Sequence, residues 1–167
     1  MSTTQERFHL FSMSSSYTVS EYMHPHVPTV APGTTLRDLV RRMLRAHEHW
    51  VVVADEQGKI HGGISSLDIV RYLVPDYMEK DVHLVHFAAK HNFRDRVEAC
   101  AGDPVEKFMT SYVKTIRKSE SLMSAAAMMV DFRIHRLPVV DEKGALVGYI
   151  GQTAMANAII DVFFTQA

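Results

Sequence analysis

Residues 134–153 read IHRLPVVDEKGALVGYIGQT, and residues 48–67 read EHWVVVADEQGKIHGGISSL. Laid one over the other they share His, Val, Asp-Glu, Gly, Gly and Ile in register, at a shift of 86 residues that also carries Met23 onto Met109. Working outward, the register holds without a gap from Val19 to Val74. Val27 falls on Val113, Thr29 on Thr115, Leu36 on Leu122 and Met43 on Met129. Self-similarity of this length is the signature of a duplicated structural unit.

Each copy reads locally as β-α-β-β-α. In the first, PTV (28–30) is a short strand and a Pro-Gly turn follows it. TLRDLVRRMLRAH then places Leu36, Leu39, Val40, Met43 and Leu44 at helical spacing. WVVVA (50–54) is a β-branched run suited to a strand buried on both faces. DEQG signals a tight turn, residues 59–64 form the return strand, and a helix spans 66–74. A short helix precedes each copy, VSEYM in one and VEKFM in the other. A unit this small buries only about 60% of its unfolded surface alone, so two units packed sheet to sheet are expected.

The predicted fold is therefore mixed α/β (α+β), with two tandem repeats packed as a pseudo-twofold pair. The predicted segments are a polar tail at 1–17, repeat 1 at 18–74, a helical connection at 75–103 and repeat 2 at 104–164. In the connection, Asp81 is positioned to cap a helix whose loose apolar stripe includes Val82, Val85, Phe93 and Val97.

Composition narrows the function. A net charge of -1 offers no basic field for a polyanion, so nucleic acid is not an expected partner. The single cysteine, Cys100, excludes an intramolecular disulfide. No apolar run approaches the roughly 18 residues of a membrane span, and the first residues lack the apolar block of a signal peptide. A cytoplasmic location is expected. The ten histidines include His83 and His86 on one helix face, but none sits in a recognised ligand spacing, and no metal site is expected. No nucleophile–base pair or P-loop is readable, so neither an enzyme nor a catalytic cofactor is expected.

The copies differ where strand meets helix. Copy 1 reads GGISSLD from Gly62 to Asp68, while copy 2 reads GYIGQTA, replacing Ser65 by Gly151 and Asp68 by Ala154. From spacing alone, Ser65 and Asp68 form a capping box for the following helix. They also fit an anionic ligand: a helix N-terminus offers free N–H groups to a phosphate, and a carboxylate offers two acceptors to a ribose diol.

HRLPVVDEKGALVGYI and VVVADEQGKIHGGISSLDIV resemble the cystathionine-β-synthase (CBS) domain pair, or Bateman module, over almost all of Val19 to Phe164. The most specific part of the resemblance is Gly62, Ile64, Ser65 and Asp68. The resemblance implies a regulatory cleft for an adenosyl compound: AMP, ADP, ATP or S-adenosylmethionine. It implies completion of the Asp68 cleft by the other repeat, through Thr110, Val113 and Lys114 and through Ile134, His135, Arg136, Leu137 and Pro138. Arg136, His135 and Lys114 would then lie near phosphates. One competent cleft, a homodimer and a separate regulated protein are expected. The alternative is a ligand-free dimerisation scaffold in which Ser65 and Asp68 only cap.

Overall fold

The computed structural model describes residues 17–74 and 93–164. The elements run α1 (Val19–Tyr22), β1 (Thr29–Val30), α2 (Leu36–Ala46), β2 (Trp50–Ala54), β3 (Ile60–Ser65), α3 (Ser66–Leu73) and α4 (Phe93–Cys100). A 3-10 turn at Val105–Lys107 leads into β4 (Ile116–Arg117), α5 (Leu122–Asp131), β5 (Arg136–Val140), β6 (Leu146–Gly151) and α6 (Gln152–Phe164). The two units form separate three-stranded sheets, β1-β2-β3 and β4-β5-β6, each with a parallel outer pair and an antiparallel hairpin. Even the irregularity repeats: the hairpin register slips between Val53 and Ala54 and again between Val139 and Val140.

Both hairpins close through the same side-chain device. Asp55 Oδ1 accepts from the N–H groups of Gln57 and Lys59, at 3.1 and 2.9 Å. Asp141 Oδ1 accepts from Lys143 and Ala145, both at 2.9 Å. The turns need a left-handed residue, supplied by Gly58 (φ +77°) and Gly144 (φ +84°), where a side chain would be strained. These hydrogen bonds favour the ionised carboxylates. The backbone N–H of Ala145 chiefly lowers the pKa of Asp141, and the side-chain bond from His61 chiefly lowers that of Asp55.

The pairing of cores departs from the order of the sequence. Val19 of α1 is fully buried in the core of the second unit, with Ile116, Leu122, Ala125, Leu137 and Ile150. Val105, which precedes the second unit, is fully buried in the core of the first, with Leu39, Val51, Val53 and Ile64. Each lead-in helix thus packs on the other repeat. Polar contacts follow the same exchange: the Tyr22 hydroxyl donates to Asp161 of α6 at 2.9 Å, and that of Tyr72 in α3 donates to Asp103 at 2.8 Å. Lys107 pairs with the same Asp103, while Phe108 stacks on Tyr72 at 4.8 Å.

Helix boundaries follow local chemistry. The hydroxyls of Thr35 and Ser121 accept from Asp38 and Ser124 and so start α2 and α5 at equivalent positions. In the connection, Arg96 donates to the backbone oxygens of Tyr72 and Leu73 at the C-terminal end of α3. Phe93, assigned above to an apolar stripe, is exposed, and α4 instead buries Cys100. Asp81, Val82, Val85, His83 and His86, and the tail at 1–16, lie outside the described residues.

Candidate functional site

The β3–α3 junction is built as a reciprocal cap. Ser65, extended at φ -107° and ψ 165°, ends β3 and caps α3. Its hydroxyl accepts from the N–H of Asp68 at 3.3 Å. Asp68 Oδ2 in turn accepts from the Ser65 N–H at 2.7 Å and from the Ser65 hydroxyl at 2.6 Å. The capping box is therefore formed, and Asp68 stays half-buried at the mouth of the helix. A carboxylate has about four lone-pair sites, so these two donors leave acceptor capacity, chiefly on Oδ1, for a further pair of hydroxyls.

The other repeat closes one wall. Gly63 and Thr110 form a two-hydrogen-bond bridge, with N–H to O distances of 3.0 and 2.9 Å. This approach needs bare glycine. A Cβ on Gly62 would lie 2.7 Å from Met109 Sδ and 2.9 Å from the Thr110 oxygen, and one on Gly63 would lie 3.1 Å from a Val113 methyl. The opposite wall comes from the same repeat: Trp50 pairs with Ser65 across the hairpin, and Ser66 N–H donates to the His49 oxygen at 3.0 Å.

Gly62, Ile64, Ser65, Asp68, Thr110 and Val113 are thus brought together, with Ile64 beneath them in the core. Of the remaining candidates, Arg136 reaches back to the Trp50 wall of this junction, its guanidinium 5.9 Å from that ring, and the others are placed elsewhere. Lys114 reaches back over the Phe132 ring, 4.3 Å from its centroid. Ile134 packs on the second core, and Leu137 and Pro138 are buried within β5. His135 and Arg136 line the counterpart junction: Arg136 pairs with Gly151, and the His135 oxygen accepts from Gln152. The physical reason is hairpin register, which sets the start of each central strand against the end of its own return strand. By that rule His49 and Trp50 flank Asp68. Counting outward from the DEQG turn sets Trp50 opposite Ile64, and the register slip between Val53 and Ala54 moves it onto Ser65.

At the counterpart junction, His24, His135, Arg136, Tyr149, Gly151, Gln152 and Thr153 surround a cavity of about 230 Å³. Tyr149 stands where copy 1 has Gly63, and its ring stacks on His24 at 4.9 Å. Arg136 stands where copy 1 has Trp50. It donates to Glu48 of the first repeat at 2.7 Å, with its guanidinium over the rings of both Trp50 and Tyr149. Ala154, the equivalent of Asp68, is buried in the second core. The two junctions share a backbone and differ in chemistry. Among the described residues there is no cluster of metal-ligating side chains, and no helix is long and apolar enough to cross a membrane.

The comparisons with known proteins agree with this geometry. The chain is 26% identical over 142 residues to homoserine O-acetyltransferase of Methanohalophilus mahii, covering 85% of this chain but only 24% of that protein. The crystal structure of Arabidopsis thaliana CBSX2 in complex with AMP superposes with a TM-score of 0.67 at 24% identity, over 88% of this chain and 98% of that one. The CBS domain pair of protein MJ0100, in complex with 5′-methylthioadenosine and S-adenosyl-L-methionine, superposes with a TM-score of 0.62 at 19% identity, over 85% and 94%. At these identities the two structures establish the fold. The CBS domain family matches twice, at residues 19–75 and 105–161, each match covering one copy of the duplicated unit. The chain belongs to the CBS domain family, with two such domains in tandem.

Proposed function

We propose that this tandem pair is a ligand-sensing regulatory module whose Asp68 cleft takes one adenosyl compound: AMP, ADP, ATP or S-adenosylmethionine. The observation that carries the proposal is the half-buried Asp68 carboxylate at a helix N-terminus, beside the lead-in segment of the other repeat. Its spare acceptor capacity suits a ribose diol, and the partial positive charge at the N-terminus of α3 suits an anionic tail. Val113 and Trp50 offer apolar surface for a flat base on either side of Gly63. CBSX2 with AMP and the MJ0100 pair with two adenosyl compounds support the ligand class. The role is regulation of a separate protein, not chemistry. Binding would bridge the two repeats, since the cleft joins Asp68 of one to Thr110 of the other, and that bridge is the element able to signal.

A second reading is favoured by one observation, the formed capping box, in which Asp68 already has a structural task. On that reading the pair is a ligand-free scaffold. Equilibrium dialysis against AMP, ADP, ATP, S-adenosylmethionine and NAD, followed by thermal unfolding with any binder, separates the two. Ligand at about 100 times its Kd stabilises by roughly 2.7 kcal/mol, which in a chain of this size is a rise in Tm of about 5–10 °C. Asp68→Asn should lose almost all of that rise while costing the apo protein at most about 1 kcal/mol. An apo loss of several degrees with the ligand response intact would leave Asp68 as a cap alone.

A further inference from the structure

We propose that Glu48 withholds Arg136 from phosphate groups, and so sets how the Asp68 cleft discriminates between adenosyl compounds by the charge of the tail. This rests on the ligand class proposed above and names the residue that governs its charge selectivity. Arg136 Nη1 donates to Glu48 Oε2 at 2.7 Å, and both side chains are half-buried, 37% and 23% exposed. The guanidinium lies over Trp50, 5.9 Å from the ring centroid. Trp50 stands opposite Ser65, the residue that caps α3. Arg136 is thus one swing of a long side chain from the helix mouth, and Glu48 neutralises it where it rests.

The fold does not require a carboxylate at this place. The turn that carries Glu48 recurs in the second repeat, with His47 and Arg133 left-handed at φ +54° and +53°. The N–H groups of Glu48 and Ile134 donate to Met43 and Met129, equivalent carbonyls, at 3.0 and 3.1 Å. Copy 1 thus carries an anion where copy 2 carries a hydrocarbon packed on its own core. The 86-residue shift maps the Glu48–Arg136 pair onto Ile134 and Trp50, which hold no charge. Chemistry then divides the ligands. A neutral or cationic tail leaves the pair intact. A phosphate gains a charge-assisted bond to Arg136 only by stripping Glu48, whose half-buried carboxylate is left without its partner. Glu48 therefore acts against one class of ligand, which is how selectivity is set as a difference of affinities.

The test compares adenosine with ADP, which share base and ribose and differ in the tail, by calorimetry on the full chain. Glu48→Gln keeps the shape and removes the charge. It should tighten ADP about tenfold and leave adenosine within about twofold, a split that a merely structural role would not produce. In an Arg136→Gln background the same change should tighten ADP no more than about twofold. An unchanged ADP-to-adenosine ratio overturns the proposal, as does a tenfold gain that survives Arg136→Gln. Trp50, the single tryptophan, gives a readout that needs no nucleoside. Pyrophosphate should shift its emission at about tenfold lower concentration in Glu48→Gln than in wild type, and not at all in Arg136→Gln. A wild-type chain that binds neither adenosine nor ADP sinks the Asp68 reading. Equal pyrophosphate midpoints in wild type and Glu48→Gln sink the withholding of Arg136.

Discussion

The Gly62–Asp68 and Gly148–Ala154 junctions have the same backbone and different chemistry, and the difference separates what holds the fold from what serves a ligand. Residues kept in both copies do structural work. Gly62 and Gly148 each admit the lead-in segment of the other repeat: a Cβ on Gly148 would meet the His24 oxygen at 2.6 Å, as one on Gly62 would meet that of Thr110 at 2.9 Å. Residues changed between copies alter the cleft. Ser65 and Asp68 become Gly151 and Ala154, Gly63 becomes Tyr149, and Trp50 becomes Arg136. Copy 1 retains an anion at the helix mouth and a bare glycine packed beside Val113. Copy 2 sets a ring, stacked on His24, where that glycine stands, and holds its cation against Glu48 beside a cavity of about 230 Å³.

The harshest way to break the comparison is to attack the exchanged helices. Val19→Asp and Val105→Asp each place an unpaired carboxylate in a sealed core and should cost roughly 3–5 kcal/mol. Urea unfolding followed by Trp50 fluorescence reads the first repeat. Val19→Asp, whose contacts are in the second core, should nonetheless lower the Trp50 midpoint. A Trp50 transition unchanged by Val19→Asp would show that the two cores unfold separately.

Grafting the copy-1 pair into copy 2 should divide into two effects. Ala154 is 1% exposed, so Ala154→Asp should destabilise by about 2 kcal/mol or more, without any gain in ligand response. At Gly151, by contrast, a Cβ would meet its nearest neighbours at 3.5 Å, ordinary contact distance. Gly151→Ser should therefore be neutral, or add a cap of up to about 1 kcal/mol. A wild-type Tm for Ala154→Asp would show that this side chain can turn outward.

Gly148→Ala and Gly62→Ala follow, at about 1–3 kcal/mol, with Gly148 the worse because the fixed His24 backbone is its nearest obstacle. At Gly62 the nearest atom is the flexible Met109 thioether. Thermal unfolding orders them, and a larger loss at Gly62 would reverse the argument.

The smallest effect expected is on the acid side. Asp55, Asp103 and Asp141 all have lowered pKa values, from the His61, Lys107 and Ala145 hydrogen bonds respectively. A lowered folded pKa contributes stability above the unfolded value of 3.8 and loses it as pH falls through the folded value. Stability should be level from neutral pH down to about pH 4 as far as these groups are concerned, then fall. Asp55→Asn with Asp141→Asn should flatten that fall, and an unchanged acid limb would assign it to other groups.

Much of this was legible in the sequence because it is local. The strands, the turns at Asp55–Gly58 and Asp141–Gly144, and the cap at Ser65 each depend on a few adjacent residues, and the duplication states them twice. The exchange of lead-in helices was not legible. VSEYM is four helical residues long in the structure, and nothing in its composition says which sheet will bury Val19. Nor does periodicity say which central strand flanks Asp68. Hairpin register brings up Trp50 and His49, while Arg136–Pro138 pairs within its own repeat and Arg136 sends its side chain across to Glu48 and Trp50.

The exchange also bears on synthesis, which proceeds from one end. When residues 29–74 have left the ribosome, the first sheet and both its helices are present, yet the socket that Val105 fills is still empty. Val19, available from the start, has no core to enter until Ile116, Leu137 and Ile150 follow. Each half therefore waits on the other, and contacts so distant in sequence form late. A nascent chain paused near residue 103 would expose apolar surface on both counts, and it is there that a chaperone would find its substrate.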